Sequence, residues 1–176
     1  MKPKIQTRWR LTPREAMRLQ ERLRCRVTLE DDFTPIRYVA GADLAFDPTT
    51  DLAFAGVIVY RLPEMEEVER RCARRKLRFP YVPGLLSFRE SPVLLAAFAR
   101  LQTEPDLILI DGHGRAHPRL FGIACHIGVL FGKPAIGCPS RFWLASTRSR
   151  EATEVLLLLS CSTAWQLARF FVRATT

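Results

Sequence analysis

The run Tyr38-Val39-Ala40-Gly41-Ala42-Asp43-Leu44-Ala45-Phe46 has the character of a buried strand, yet it carries an acid, Asp43, in its middle. No other feature restricts the folding of this chain as much. An unpaired carboxylate in an apolar interior is costly, so a fold that buries this run must bring a cation or a donor to Asp43. A second apolar run, Pro105 to Gly114, ends on Asp111 and a glycine turn. An acid at a strand end is often only a turn former, but an acid inside an apolar strand is harder to dismiss. A third acid, Glu90, follows a rigid loop. Three acids in apolar or rigid context point to a shared divalent metal site.

That loop is Phe79-Pro80-Tyr81-Val82-Pro83-Gly84-Leu85-Leu86-Ser87-Phe88-Arg89-Glu90. Pro80 and Pro83 fix φ, and Gly84 permits a positive φ. Tyr81 is thus held between two rigid residues. A stiff loop tipped by an aromatic ring can act as a wedge between stacked bases. An ordinary Pro/Gly turn between a strand and a helix fits these residues equally well.

The chain has 176 residues, enough for one domain with a proper core. Its 27 Lys and Arg against 18 Asp and Glu give a net charge of +9, which favours a polyanionic partner. Arginine dominates the bases, and a GC-rich genome produces the same bias, so charge supports the reading without carrying it. The five cysteines, Cys25, Cys72, Cys125, Cys138 and Cys161, are scattered and form no Cys-x-x-Cys pair. That pattern argues against a zinc site and a secreted disulfide framework and suits reduced thiols in the cytoplasm. The N-terminus lacks a signal-peptide apolar core, and Val155 to Ala168 is too short and polar for a membrane span.

Thr12-Pro13-Arg14-Glu15 predicts a helix start with a capping box, and the helix runs to about Arg26. Strands are predicted at about 38–46 and 54–60, then a polar edge strand at about 66–77. A helix is expected over Pro92–Leu101, with Pro92 acceptable only in its first turn. Strand 107–111, a helix from about Pro118 to Phe131 and a short strand at 134–137 follow. Antiparallel strands first, then alternating helix and strand, predict an α/β mixed sheet flanked by helices. Of the three histidines, His126 reads as a hydrogen-bonded core residue inside a helix. His117, before Pro118 and Arg119, joins Arg119 as a candidate contact to a DNA backbone. His113 in the glycine turn is open to either reading.

These motifs together resemble the endonuclease V family, the deoxyinosine-specific repair nucleases. The resemblance is carried by Gly41-Ala42-Asp43-Leu44-Ala45-Phe46, Pro80 to Glu90, Asp111-Gly112-His113-Gly114, His117-Pro118-Arg119, Phe121 to Val129 and Pro134-Ala135-Ile136-Gly137. It covers about residues 10 to 138 and implies a ribonuclease H-like fold. It also implies that Asp43, Glu90 and Asp111 bind Mg2+, with Mn2+ as a substitute, and catalyse phosphodiester hydrolysis. Asp43 and Asp111 would be direct ligands on adjacent central strands, with Glu90 completing the site from the start of the following helix. Tyr81 between Pro80 and Pro83 corresponds to the family's strand-separating wedge. Gly84, Leu86 and Gly112 correspond to the region lining the pocket for the rotated base. The implied activity is cleavage of DNA on the 3′ side of deoxyinosine, leaving 5′-phosphate and 3′-hydroxyl ends. The alternatives are an inosine-specific ribonuclease and an inactive, truncated lesion-binding module.

After residue 138 the resemblance stops. The family's lysine turn, acidic segment and late histidine are missing, since no lysine follows Lys133 and no histidine follows His126. Residues 139–176 therefore read as an atypical tail, and the sheet is expected to lack the family's last strand and helix. A reading-frame error is the expected cause, with a divergent natural C-terminus as the alternative. A GC-rich coding stretch for Gly-Glu-His-Glu-Glu-Pro-Gly, read one nucleotide out of phase, encodes Ala-Ser-Thr-Arg-Ser-Arg-Glu, which stands at Ala145 to Glu151. Resequencing around codons 138–142 tests this, and a downstream frame without a lysine turn or histidine loop would make the tail genuine.

Overall fold

The computed structural model describes residues 1–30, 35–47 and 49–139. Helix α1 (Pro13–Arg24) starts as its residues dictate: the Thr12 hydroxyl accepts from the Glu15 N–H, and Glu15 accepts in return from the Thr12 N–H at 2.7 Å. Its inner face presents Ala16, Gln20 and Leu23. Strands β1 (Tyr38–Asp47), β2 (Leu52–Arg61) and β3 (Glu66–Lys76) follow as an antiparallel meander. Helix α2 (Leu86–Phe98), strand β4 (Leu107–Ile110), helix α3 (Ile123–Phe131) and strand β5 (Ala135–Gly137) complete the described elements.

The sheet order is β3-β2-β1-β4-β5, with β4 parallel to both β1 and β5. This is the expected α/β mixed sheet flanked by helices, with polar β3 on its edge. One face of the sheet packs Ala40, Ala42, Val57 and Ile110 against Val93, Leu94 and Phe98 of α2 and Ile127 and Phe131 of α3. Alanines at β1 and β2 let the helices approach closely, and the aromatic and branched residues on the helices fill the space. A second cluster joins α1 to the Pro/Gly loop through Ala16, Phe79, Leu85 and Phe88.

Two helix boundaries differ from expectation. Helix α2 begins at Leu86 rather than Pro92, so Pro92 lies inside it. A proline there removes its own donor and crowds the Phe88 carbonyl, and the burial of Val93, Leu94, Ala97 and Phe98 holds the helix. Glu90 is therefore in the second turn of α2 and not at its start. Helix α3 begins at Ile123 rather than Pro118, because Leu120 takes a φ of 52° that ends any helical continuation through it. All of the predicted tail, 139–176, except its first residue lies outside those described. Among the described residues no helix is long and apolar enough to cross a membrane.

Candidate active site

The parallel pairing of β1 with β4 places Ala42 beside Ile110. The Asp111 N–H extends that ladder by donating to the Ala42 carbonyl at 3.1 Å. Asp111 thus stands beside Asp43, and two acids distant in sequence are brought level by strand register alone. Asp43 lies opposite Gly56 of β2 and its carboxylate accepts from the Leu44 N–H at 2.7 Å. Burial first, and then the charge of Asp111, raise its pKa to about 6 against the lowering effect of that bond.

Glu90 approaches the same place from α2. Only 6% of its surface is exposed, and burial, then the charges of Asp111 and Asp43, push its pKa up to about 8. Arg89 offsets this only weakly; its guanidinium donates to the Phe79 carbonyl at 2.9 Å. The three acids are thus close enough to repel one another. Among the described residues, no group of three His, Cys, Asp or Glu side chains converges tightly enough to hold a metal ion as it stands. The fit to a metal rests on donor chemistry. Three oxygen donors that destabilise each other as anions are what a hard divalent cation such as Mg2+ takes.

The Pro/Gly loop is a type II turn. Leu85 N–H donates to the Val82 carbonyl at 2.9 Å, with Pro83 second and Gly84 third at φ 77°. Phe79 and Leu85 anchor both ends in the core. Tyr81 is left 71% exposed at the tip. Leu86, the first residue of α2, is also exposed. At Gly112, φ is 136° and an added Cβ would stand 2.6 Å from the Ile123 side chain.

His117 and Arg119 come to the base of that turn. The Gly84 carbonyl accepts from Arg119 at 2.7 Å and from Gln20 Nε2 at 3.1 Å, with His117 Nε2 at 3.0 Å. His117 Nδ1 accepts from the Arg119 N–H at 3.2 Å, so the neutral Nε2–H tautomer satisfies both ring nitrogens. Burial lowers the His117 pKa and favours that neutral form. His126 is the core residue expected from the sequence. It is fully buried among the rings of Trp9, Phe88 and Phe121, with Nδ1 3.1 Å from Ser87 Oγ. His113 has a buried Nδ1 without a hydrogen-bond partner. The cysteines at 25, 72, 125 and 138 are free thiols, and Cys161 lies outside the described residues.

Sequence reasoning missed Gln20. Its signal was present: an amide on the apolar stripe of an amphipathic helix, between Ala16 and Leu23.

A cavity of about 620 Å³ elsewhere, between residues 5–8 and α1, is lined by Arg8, Arg18, Arg22 and Arg26. It contains none of the three acids.

The family model for endonuclease V matches residues 21–168. This chain belongs to the endonuclease V family. The match runs past residue 138, where the recognisable motifs end. Endonuclease V of Roseiflexus castenholzii is 49% identical over 138 residues, which make up 78% of this chain and 61% of that protein. The crystal structure of endonuclease V from Bacillus subtilis superposes with a TM-score of 0.76 at 30% identity, covering 83% of this chain and 64% of that one. That of Ciona intestinalis endonuclease V, in complex with a 24mer DNA containing an inosine followed by a ribo-adenosine, superposes with a TM-score of 0.66 at 29% identity. It covers 89% of this chain and 67% of that one. The chain spans about three fifths of the length of the Roseiflexus castenholzii and Nostoc relatives it matches.

Proposed function

We propose that this endonuclease V family member is a metal-dependent DNA repair endonuclease that hydrolyses a phosphodiester bond on the 3′ side of deoxyinosine. It leaves 5′-phosphate and 3′-hydroxyl ends. The observation that carries the reading is the placement of Asp43 and Asp111 side by side by the β1–β4 register, with Glu90 raised in pKa by burial and then by the charges of both. Mg2+ held by Asp43, Asp111 and Glu90 would supply an activated water and charge neutralisation at the phosphate. Until a cation arrives, Glu90 retains its proton near neutral pH. Tyr81, exposed on a turn anchored at both ends, serves as the wedge. The glycines at 84 and 112 take the positive φ values their loops require and line the base pocket with backbone. Pro80 and Pro83 limit recoil of the tip, and Leu86 lines the pocket beside it.

Nucleic acid as the partner is supported by the net charge of +9 and by the inosine-containing DNA bound to the Ciona relative. The ribo-adenosine in that ligand also makes inosine-containing RNA the second substrate reading. A nicking assay on an inosine duplex, an undamaged duplex and an inosine RNA, with and without Mg2+, tests the proposal. Metal-dependent nicking confined to inosine DNA is expected, abolished by Asp43→Ala or Asp111→Ala while binding in Ca2+ largely survives. Parent-level nicking by either variant would overturn the assignment. Cleavage of the RNA alone would move the substrate to RNA, and binding without cleavage would leave a lesion-binding module.

A further inference from the structure

The side chain of Gln20 is held at both ends, and its partners lie in two different loops. Nε2 donates to the Gly84 carbonyl at 3.1 Å and to the Phe121 carbonyl at 3.1 Å, while Oε1 accepts from Arg119 Nε at 2.7 Å. Two carbonyls at one end and a guanidinium at the other fix which end of the amide is nitrogen. The residue is 1% exposed, so none of these bonds is exchanged cheaply for water. Arg119 also donates to the Gly84 carbonyl, closing a ring of hydrogen bonds through α1, the wedge turn and the segment after β4. Gly84 lies 64 residues from Gln20 in sequence and Phe121 lies 101. No backbone ladder joins these two loops to each other. The spacing between them is set by side chains that meet at the Gly84 carbonyl, Arg119 and His117 from one loop and Gln20 from α1, and Gln20 is the one that also bonds Phe121 and holds Arg119 in place.

We propose that Gln20 is a positioning residue for lesion selectivity: it fixes the base of the Tyr81 turn against the Gly112–Phe121 segment. The inference rests on the reading of these loops as wedge and base pocket. Gln20 touches neither the three acids nor the exposed face of Tyr81, so its influence passes through the position of Gly84 and Arg119. Loss of the amide leaves the turn tethered only through Arg119 and His117, with Arg119 no longer held from α1, and so loosens it relative to the pocket. Undamaged duplex, which keeps its bases stacked, does not test that spacing. A duplex with a rotated inosine does.

The test uses the full chain carrying Gln20→Met, which keeps the length and apolar stem but makes no hydrogen bonds. Affinity for an inosine duplex and for the same duplex without inosine is measured in Ca2+, and KM and kcat for nicking in Mg2+. We expect inosine affinity to fall about tenfold or more, the factor corresponding to one lost buried hydrogen bond. Affinity for undamaged duplex should stay within about twofold, and the kinetic loss should lie in KM rather than kcat. An equal fall on both duplexes, or unchanged selectivity, overturns the inference. If Gln20→Met does not give a folded protein by circular dichroism, Arg119→Lys replaces it, because a lysine cannot bond Gln20 and Gly84 in the same fork. Selective loss on the inosine duplex supports the clamp, and uniform loss reduces Arg119 to a backbone contact and overturns it. A parent chain that binds both duplexes alike removes the reading and the inference together.

Discussion

Glu90 is less stable as an anion than an ordinary glutamate because α2 buries it facing two other acids. Removing its charge should therefore help the metal-free protein while ending its response to metal. Glu90→Gln is expected to melt above the parent without Mg2+ near pH 8, and to lose most of the parent's upward shift when Mg2+ is added. A thermal melt with an equal Mg2+ shift in both proteins would mean that Glu90 is no ligand. Tyr81 has the opposite character: it is 71% exposed, so its removal should barely change stability. Base–aromatic stacking is worth about 1–3 kcal/mol, and Tyr81→Ala should weaken inosine-duplex binding by roughly tenfold or more at that value. Undamaged duplex should lose much less. Anisotropy titrations showing equal losses would make Tyr81 a surface aromatic.

At the scale of elements, the site depends on how closely the turn after β4 and the start of α3 meet. A Cβ at Gly122 would fall 2.2 Å from the His113 carbonyl and 2.7 Å from that of Gly114. These are backbone atoms held by their own bonds, with Gly122 N–H donating to Gly114 at 2.8 Å, and they cannot turn aside. Gly122→Ala should cost about 3 kcal/mol or more in urea unfolding; a loss below about 1 kcal/mol would show that the segment yields. Most elements were legible before the structure. The Thr12–Glu15 box marked α1, and the apolar runs with acids marked β1 and β4, because a carboxylate is out of place there. Charge marked β3 as an edge. The start of α2 was not legible, because Pro92 looked like a helix beginning and local sequence does not record the packing that tolerates it internally. The role of Gln20 was equally hidden, since its partners are set by tertiary structure. The acids could be read one by one, but their adjacency needed the strand register.

The molecule as a whole should respond to acid through His126. Burial holds its pKa at about 3, well below the usual 6.5. The folded protein keeps it neutral where the unfolded chain takes up a proton. Its contribution is thus complete above about pH 6.5 and is lost as pH falls toward 3, at about 1.4 kcal/mol per pH unit. Urea unfolding at several pH values should show a shallower acid loss in His126→Gln than in the parent; parallel curves would reject this account. The position of β1 in the sheet has another consequence, for the growing polypeptide. Its partner β2 is made immediately afterwards, but its other neighbour, β4, is made only after β3 and α2. Throughout that interval the Val39–Ala42 edge, later covered by Leu107–Ile110, offers unpaired amides on an apolar strand, a template for pairing with another chain. Ribosome-released fragments ending between Lys76 and Leu107 should pellet, whereas those reaching past Gly137 should remain in the supernatant; equal solubility would mean that the nascent edge is shielded in some other way. Translation of this protein is therefore most exposed to aggregation while Asp111 is still unmade.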